Sequence, residues 1–278
     1  MKRVATIQDI SCLGKCSLTV ALPIISAFGI ETCVVPTAVL STHTMFKGFT
    51  FRDLTCDLTS IKEHWVKEGF TFDALYSGYL GSEEQLEIVK DYFTTFKTDK
   101  NFIVIDPVMA DNGKLYPGFT VEFAKKMASL CKVADIIVPN LTEACFMLDE
   151  EYIESGYGED YVKNILKKLV GLGSKIAILT GVSFESGKIG VLGYDGKEFF
   201  SYYNDLVDAR YHGTGDIFSS TLVGGIVKGY SLLDSVKIAA DYTAECIKVT
   251  KNTPDAVSYG VEFEKVLPKL IKTIDNNG

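Results

Sequence analysis

Short, unbroken apolar runs, each followed by an amphipathic stretch, constrain this chain more than any other feature. Val4–Gln8, Thr32–Pro36, Ala74–Ser77, Phe102–Pro107, Asp135–Pro139 and Lys175–Thr180 are rich in Val and Ile. Continuous rather than alternating runs of this kind suit strands covered on both faces. Between them, Lys15–Phe28, Arg52–Glu68, Glu83–Phe96, Thr120–Cys131 and Asp160–Leu172 show helical periodicity. Strand, helix and strand in repetition predict an α/β fold with a doubly wound, mostly parallel sheet flanked by helices. Past Thr180 the pattern changes. Ile189–Tyr194 and Glu198–Asn204 flank Asp195-Gly196, a two-residue hairpin signal that predicts a small antiparallel extension. From Thr214 to about Leu270 the pattern is mainly helical.

No Pro/Gly/Ser-rich linker, internal repeat or low-complexity tract divides the 278 residues, so a single domain over 1–278 is expected. Hydrophobic residues make up 47% and charged residues 23%, the balance of a soluble globular protein. The formal charge is -8 and no Lys/Arg run exceeds a pair, which argues against a nucleic-acid partner. Seven scattered cysteines, an odd number, read as free thiols in a reducing compartment. Lys2-Arg3 precedes an apolar stretch that Asp9 and Lys15 interrupt, so it is not read as a signal peptide. No apolar run approaches the length of a membrane span. A cytoplasmic protein is the expectation.

Ligands of such folds bind at the carboxyl ends of the strands. Residues placed there are Asp9, Ser77-Gly78-Tyr79, Asp106, Asn140 and Thr180-Gly181. Gly213-Thr214-Gly215-Asp216 opens a helical stretch. Its glycines let several amides face one spot, and the helix N-terminus adds positive partial charge there. That arrangement suits a transferring phosphoryl group, and Asp216 could accept the proton of an attacking hydroxyl. An acidic helix start with flexible glycines is also a common structural feature. Asp106 to Asp111 brings two carboxylates to a strand end, which suits Mg²⁺ held partly through water; an Asp/Asn/Gly turn explains Asp111-Asn112-Gly113 as well. Asn140 could cap the next helix with Glu143 as its capping-box partner, a role compatible with phosphate or metal binding.

In chain order, Ser77-Gly-Tyr-Leu-Gly81, Asp106-Pro-Val-Met-Ala-Asp111, Pro139-Asn-Leu-Thr-Glu143, Leu179-Thr-Gly181 and Gly213-Thr-Gly-Asp216 resemble the signature series of the ribokinase superfamily. Ser41-Thr-His-Thr44 and Ile7-Gln8 make pyridoxal (vitamin B6) kinases the closer likeness. The resemblance implies a ribokinase-like fold and an ATP- and Mg²⁺-dependent kinase acting on the 5′-hydroxymethyl group of pyridoxal, pyridoxamine or pyridoxine. It implies Asp216 as catalytic base, with the amides of Gly213, Thr214 and Gly215 as the anion hole. It implies Asp106, Asp111 and Glu143 around Mg²⁺ and the ATP phosphates, with Asn140 and Thr180 at the nucleotide. Asp9, Thr44 and Tyr79 would line the pyridine pocket. His43 would position Thr44 or the substrate, unless it is a satisfied wall residue. Met109–Tyr116 would be a loop closing over the phosphates. A homodimer is implied by the same likeness.

The chain departs from that group in two places. Asp9 stands where Ser is usual, and Gly14-Lys15-Cys16-Ser17 replaces a G-x-x-G-N segment. A hydroxymethylpyrimidine kinase is the alternative. The early Gly-Gly segment usual in that group is missing, and the one Gly-Gly pair is Gly224-Gly225 within a predicted helix. A catalytically silent relative would be expected to have lost the base, and Asp216 is present. A dinucleotide oxidoreductase is excluded because no G-x-G-x-x-G follows the first run.

Overall fold

The structure, a computed structural model, describes residues 1–276, and the chain divides into two compact units. One unit comprises residues 1–74 and 204–278, the other residues 75–203. The architecture is the expected mixed α/β fold.

The first unit begins with β1 (Arg3–Ser11), α1 (Leu18–Ala27), β2 (Glu31–Leu40), β3 (Phe51–Asp53) and α2 (Thr55–Lys67). β1 and β2 run parallel from Arg3↔Glu31 to Ser11↔Leu40, and β3 pairs antiparallel at the edge of β2. Between Gln8 and Ile10 the register slips, because Gln8 faces Pro36 while Ile10 faces Val39. Pro36 has no N–H to give the ladder, and a bulge is where a strand accommodates that. Val4, Ala5 and Ile7 of β1 are fully buried, as are Val20, Ala21, Ile24 and Ile25 of α1.

The second unit holds β4 (Ala74–Ser77), which begins at its boundary, then α3 (Glu83–Phe96), β5 (Phe102–Ile105), β6 (Ala110–Asp111) and β7 (Lys114–Leu115). There follow α4 (Val121–Cys131), β8 (Ile136–Ile137), α5 (Leu141–Leu148), α6 (Glu159–Gly171), β9 (Ile176–Val182), β10 (Lys188–Tyr194) and β11 (Phe199–Asp205). Its strand order is β4-β5-β8-β9-β10-β11. β5, β8 and β9 are parallel, and β10 returns antiparallel on β9. Ser82 and Thr120 cap α3 and α4, each accepting an N–H three residues on.

The first unit is completed by α7 (Thr214–Lys228), α8 (Leu232–Lys251) and α9 (Phe263–Asn276). A Cβ at Gly224 would stand 2.4 Å from Phe28, so this glycine lets α7 lie directly against the end of α1.

Three local expectations are refined. The predicted helix from Arg52 starts at Thr55, because Phe51–Asp53 is drawn into β3 and Asp53 Oδ1 accepts the Thr55 N–H at 2.6 Å. The predicted helix from Lys15 starts at Leu18, since Gly14 (φ 149°) and Ser17 (φ 51°) hold a non-helical backbone. The β10–β11 hairpin forms with four residues between its strands rather than two: Asp195 Oδ1 accepts the N–H groups of Lys197 and Glu198 and widens the turn.

Candidate active site

In the first unit, Asp9 lies opposite the bulge in β2 and is 4% exposed. Ser11, two residues along the same strand and so on the same face, donates its hydroxyl to Asp9 Oδ2 at 3.1 Å. Burial pushes the Asp9 carboxyl up from its ordinary value, against the Ser17 and Ser11 hydroxyls and the nearby His43, which pull it down. The Cys16 thiol is also raised, to about 12, by burial first and then by the charges of Asp216 and Asp9. Both carboxylates therefore bear on one small region beside α7.

Gly213 precedes α7 in the left-handed conformation (φ 77°), and no side chain caps the helix. A Cβ at Gly213 would fall 1.8 Å from the carbonyl oxygen of Lys15, so only glycine fits. Thr214, Gly215 and Asp216 form the first turn, where backbone N–H groups have no intrahelical acceptor. Asp216 is half-buried there.

His43 is buried with both ring nitrogens engaged. Nδ1 accepts the Met45 N–H at 3.3 Å, which leaves Nε2–H to donate to the Tyr259 carbonyl at 2.9 Å. Its ring stacks on His212 at 5.6 Å and presses on Gly14, where a Cβ would meet it at 2.8 Å. These contacts fit the wall histidine of the two alternatives. Thr44 is exposed in the adjoining turn, which the Phe46 N–H to His43 carbonyl bond closes at 3.2 Å.

In the second unit, Asn140 and Glu143 complete the capping box of α5: Asn140 Oδ1 accepts the Glu143 N–H at 2.9 Å, and Glu143 Oε2 accepts the Asn140 N–H at 2.9 Å. Glu143 Oε1 also accepts the Met109 N–H at 3.2 Å. Burial first, then the charge of Asp106, holds the Glu143 carboxyl well above its usual value. Asp106 is itself 5% exposed at the end of β5. Two buried carboxylates that repel each other form a donor set suited to a divalent cation, whose charge would relieve both. Among the described residues, no group of three or more His, Cys, Asp or Glu side chains forms a cage for a metal.

The segment 109–116 is a closed hairpin. Asn112 (φ 50°) and Gly113 (φ 73°) take the paired positive angles of a tight turn between β6 and β7. Exposed Asp111 directs its carboxylate onto Asn112, accepting its N–H and its side-chain amide, each at 2.8 Å. Besides the Met109 N–H on Glu143, two more bonds tie the hairpin to the start of α5: Asn140 Nδ2 to the Ala110 carbonyl at 2.8 Å, and Gly113 N–H to Thr142 Oγ1 at 3.0 Å. Thr180 bridges to Asn140 in parallel and donates its N–H to the Pro139 carbonyl at 3.0 Å. Tyr79 packs its ring on Phe119 at 5.5 Å.

The residues predicted from sequence thus fall into two groups. Asp9, His43, Thr44 and Gly213–Asp216 lie in the first unit, and Tyr79, Asp106, Asp111, Asn140, Glu143 and Thr180 in the second. Sequence reading named Cys16 and Ser17 only within the departing Gly14–Ser17 segment, and missed Ser11 beside Asp9 and the Met109 amide on Glu143. Only Ser11 had a local signal, its two-residue spacing from Asp9 along a strand.

A family model described as phosphomethylpyrimidine kinase matches residues 22–261. The hydroxymethylpyrimidine/phosphomethylpyrimidine kinase of Aquifex aeolicus is 30% identical over 227 residues, 81% of this chain and 86% of that one. A candidate phosphomethylpyrimidine kinase of Bacteroides thetaiotaomicron, solved in a crystal form with pyridoxal, superposes with a TM-score of 0.92 at 38% identity, covering 97% of this chain and 95% of that one. The pyridoxal kinase of Lactobacillus plantarum superposes with a TM-score of 0.89 at 26% identity, covering 99% of each chain.

Proposed function

Because this chain belongs to the phosphomethylpyrimidine kinase family, whose solved neighbours include pyridoxal kinases, we propose that it transfers the γ-phosphoryl group of ATP to the 5′-hydroxymethyl group of a vitamin B6 vitamer. The observation that carries the reading is Asp216 in the first turn of a helix that no side chain caps and that a left-handed glycine introduces. Asp216 takes the hydroxyl proton as the substrate oxygen attacks the γ-phosphorus. The bond to the bridging oxygen of the ADP leaving group breaks. Charge on the transferring group is met by the amides of Gly213, Thr214 and Gly215 and by the positive end of α7.

Asp106 and Glu143, with Asp111, would hold Mg²⁺ partly through water, and the ion would supply positive charge to the ATP phosphates. Asn140 and Thr180 meet the nucleotide; Asp9, Thr44 and Tyr79, with His43 as support, meet the ring. A second reading, phosphorylation of hydroxymethylpyrimidine, is favoured by the likeness to the Aquifex aeolicus enzyme.

One assay separates them: purified protein with ATP and Mg²⁺ against pyridoxal, pyridoxamine, pyridoxine, hydroxymethylpyrimidine and ribose. A B6 vitamer as best substrate supports the first reading, and the pyrimidine as best substrate replaces it with the second. Preference for ribose, or no turnover with any of the five, overturns both. Asp106→Asn and Glu143→Gln should shift the Mg²⁺ titration to higher concentration, and an unaltered titration would remove both from metal binding.

A further inference from the structure

Asp9 is a buried carboxylate that no lysine or arginine answers among the described residues. It is 4% exposed; the Ser11 hydroxyl donates to it at 3.1 Å, and the Ser17 hydroxyl also bears on its acidity. The one other cationisable group that bears on it is His43, whose two ring nitrogens are already committed to Tyr259 and Met45. A carboxylate has about four acceptor sites, so two hydroxyls leave it capacity for further donors. Asp9 lies opposite the bulge in β2, and it shares with Asp216 an influence on the Cys16 thiol. A buried carboxylate lacking a cation is costly, and an incoming cation offsets that cost.

We propose that Asp9 sets the substrate class of this site: it selects hydroxymethyl heteroaromatics whose exocyclic substituent is an amino or ammonium group that donates N–H to a carboxylate, over those presenting a neutral carbonyl or hydroxyl in its place. The inference rests on the kinase reading above. Pyridoxamine, with its ammonium, and the aminopyrimidine, with its amino group beside a ring nitrogen, belong to the selected class. Pyridoxal and pyridoxine do not. An N–H donor that is charged, or that meets a charged acceptor, makes about twice as strong a bond as a neutral pair.

The test is kcat/KM for these four substrates with the wild-type enzyme, Asp9→Asn and Asp9→Ser. Asp9→Asn keeps the shape and removes the charge. The ratio of pyridoxamine to pyridoxal efficiency should fall about tenfold or more in both variants, chiefly through KM. A purely structural role would move all four substrates together. An unchanged ratio in a folded variant overturns the inference and leaves the kinase reading standing; no turnover of any substrate by the wild type overturns the kinase reading and the inference with it. Should both variants fail to fold, wild-type dissociation constants decide. Pyridoxamine binding about tenfold tighter than pyridoxal supports the selection, and equal or weaker binding overturns it.

Discussion

The starts of α7 and α5 are two solutions to the same problem. Every helix begins with backbone N–H groups that lack intrahelical acceptors. α5 satisfies its own: Asn140 and Glu143 close a capping box, and Glu143 reaches on to the Met109 amide. α7 has no side-chain cap and is introduced by a glycine in a conformation that other residues adopt only with strain. Self-satisfied amides make a rigid platform, on which the β6–β7 hairpin is mounted. An uncapped start leaves its dipole to act on whatever anion comes near. Under the proposed reading, the difference would give stability to one site and charge stabilisation to the other.

The largest expected effect tests the open end. Asp216→Asn should lower turnover by roughly 10²–10⁴-fold, the usual worth of a general base. Its folding free energy should change by no more than the ~0.3–1 kcal/mol that a first-turn carboxylate contributes. Steady-state kinetics with a thermal melt checks both, and near-normal turnover would make the two helix starts functionally alike.

Gly213→Ala comes next. Its Cβ would be forced into the Lys15 carbonyl at φ 77°, so stability should fall by roughly 1–3 kcal/mol and turnover with it. A variant that melts like the wild type would show that the Lys15 segment yields to the added methyl group.

Glu143→Gln probes the closed end through pH. The folded carboxyl lies well above its ordinary 4.5, raised by burial and by Asp106. A raised acid contributes stability that is fully present below the unfolded value and lost as pH rises through the folded one. Melting temperatures in chelator should therefore shift in favour of the Gln variant as pH climbs from 4.5. Parallel curves would mean that Glu143 keeps an ordinary acidity.

The smallest effect belongs to Asn140→Ala, which removes the cap and the bond to Ala110. It should cost about 1 kcal/mol by denaturant unfolding. A much larger loss would mean that the hairpin is held mainly through this one residue.

Legibility in the sequence followed separation along the chain. The capping box depends on residues three apart, and the Asn112-Gly113 turn on two neighbours, so both could be read from local pattern. The three-residue strand at Phe51 could not, because periodicity needs a longer window and its pairing comes from Ala38–Leu40. Nor could the surroundings of Asp9. His43 reaches that region from 34 positions away, anchored by Tyr259 at a separation of 216.

Chain chemistry alone therefore settled the α/β class, the order of the motifs and the presence of an acid behind two glycines at a helix start. These depend on periodicity and short spacing, which any window of sequence contains. Tertiary structure alone decided that Gly213 must be glycine, because the obstacle is a carbonyl at position 15. It also decided that Asp9 is buried with hydroxyls for partners and that Glu143 is pressed by Asp106. Burial and charge proximity arise only when distant segments meet, and those two quantities separate a structural carboxylate from one poised for a ligand.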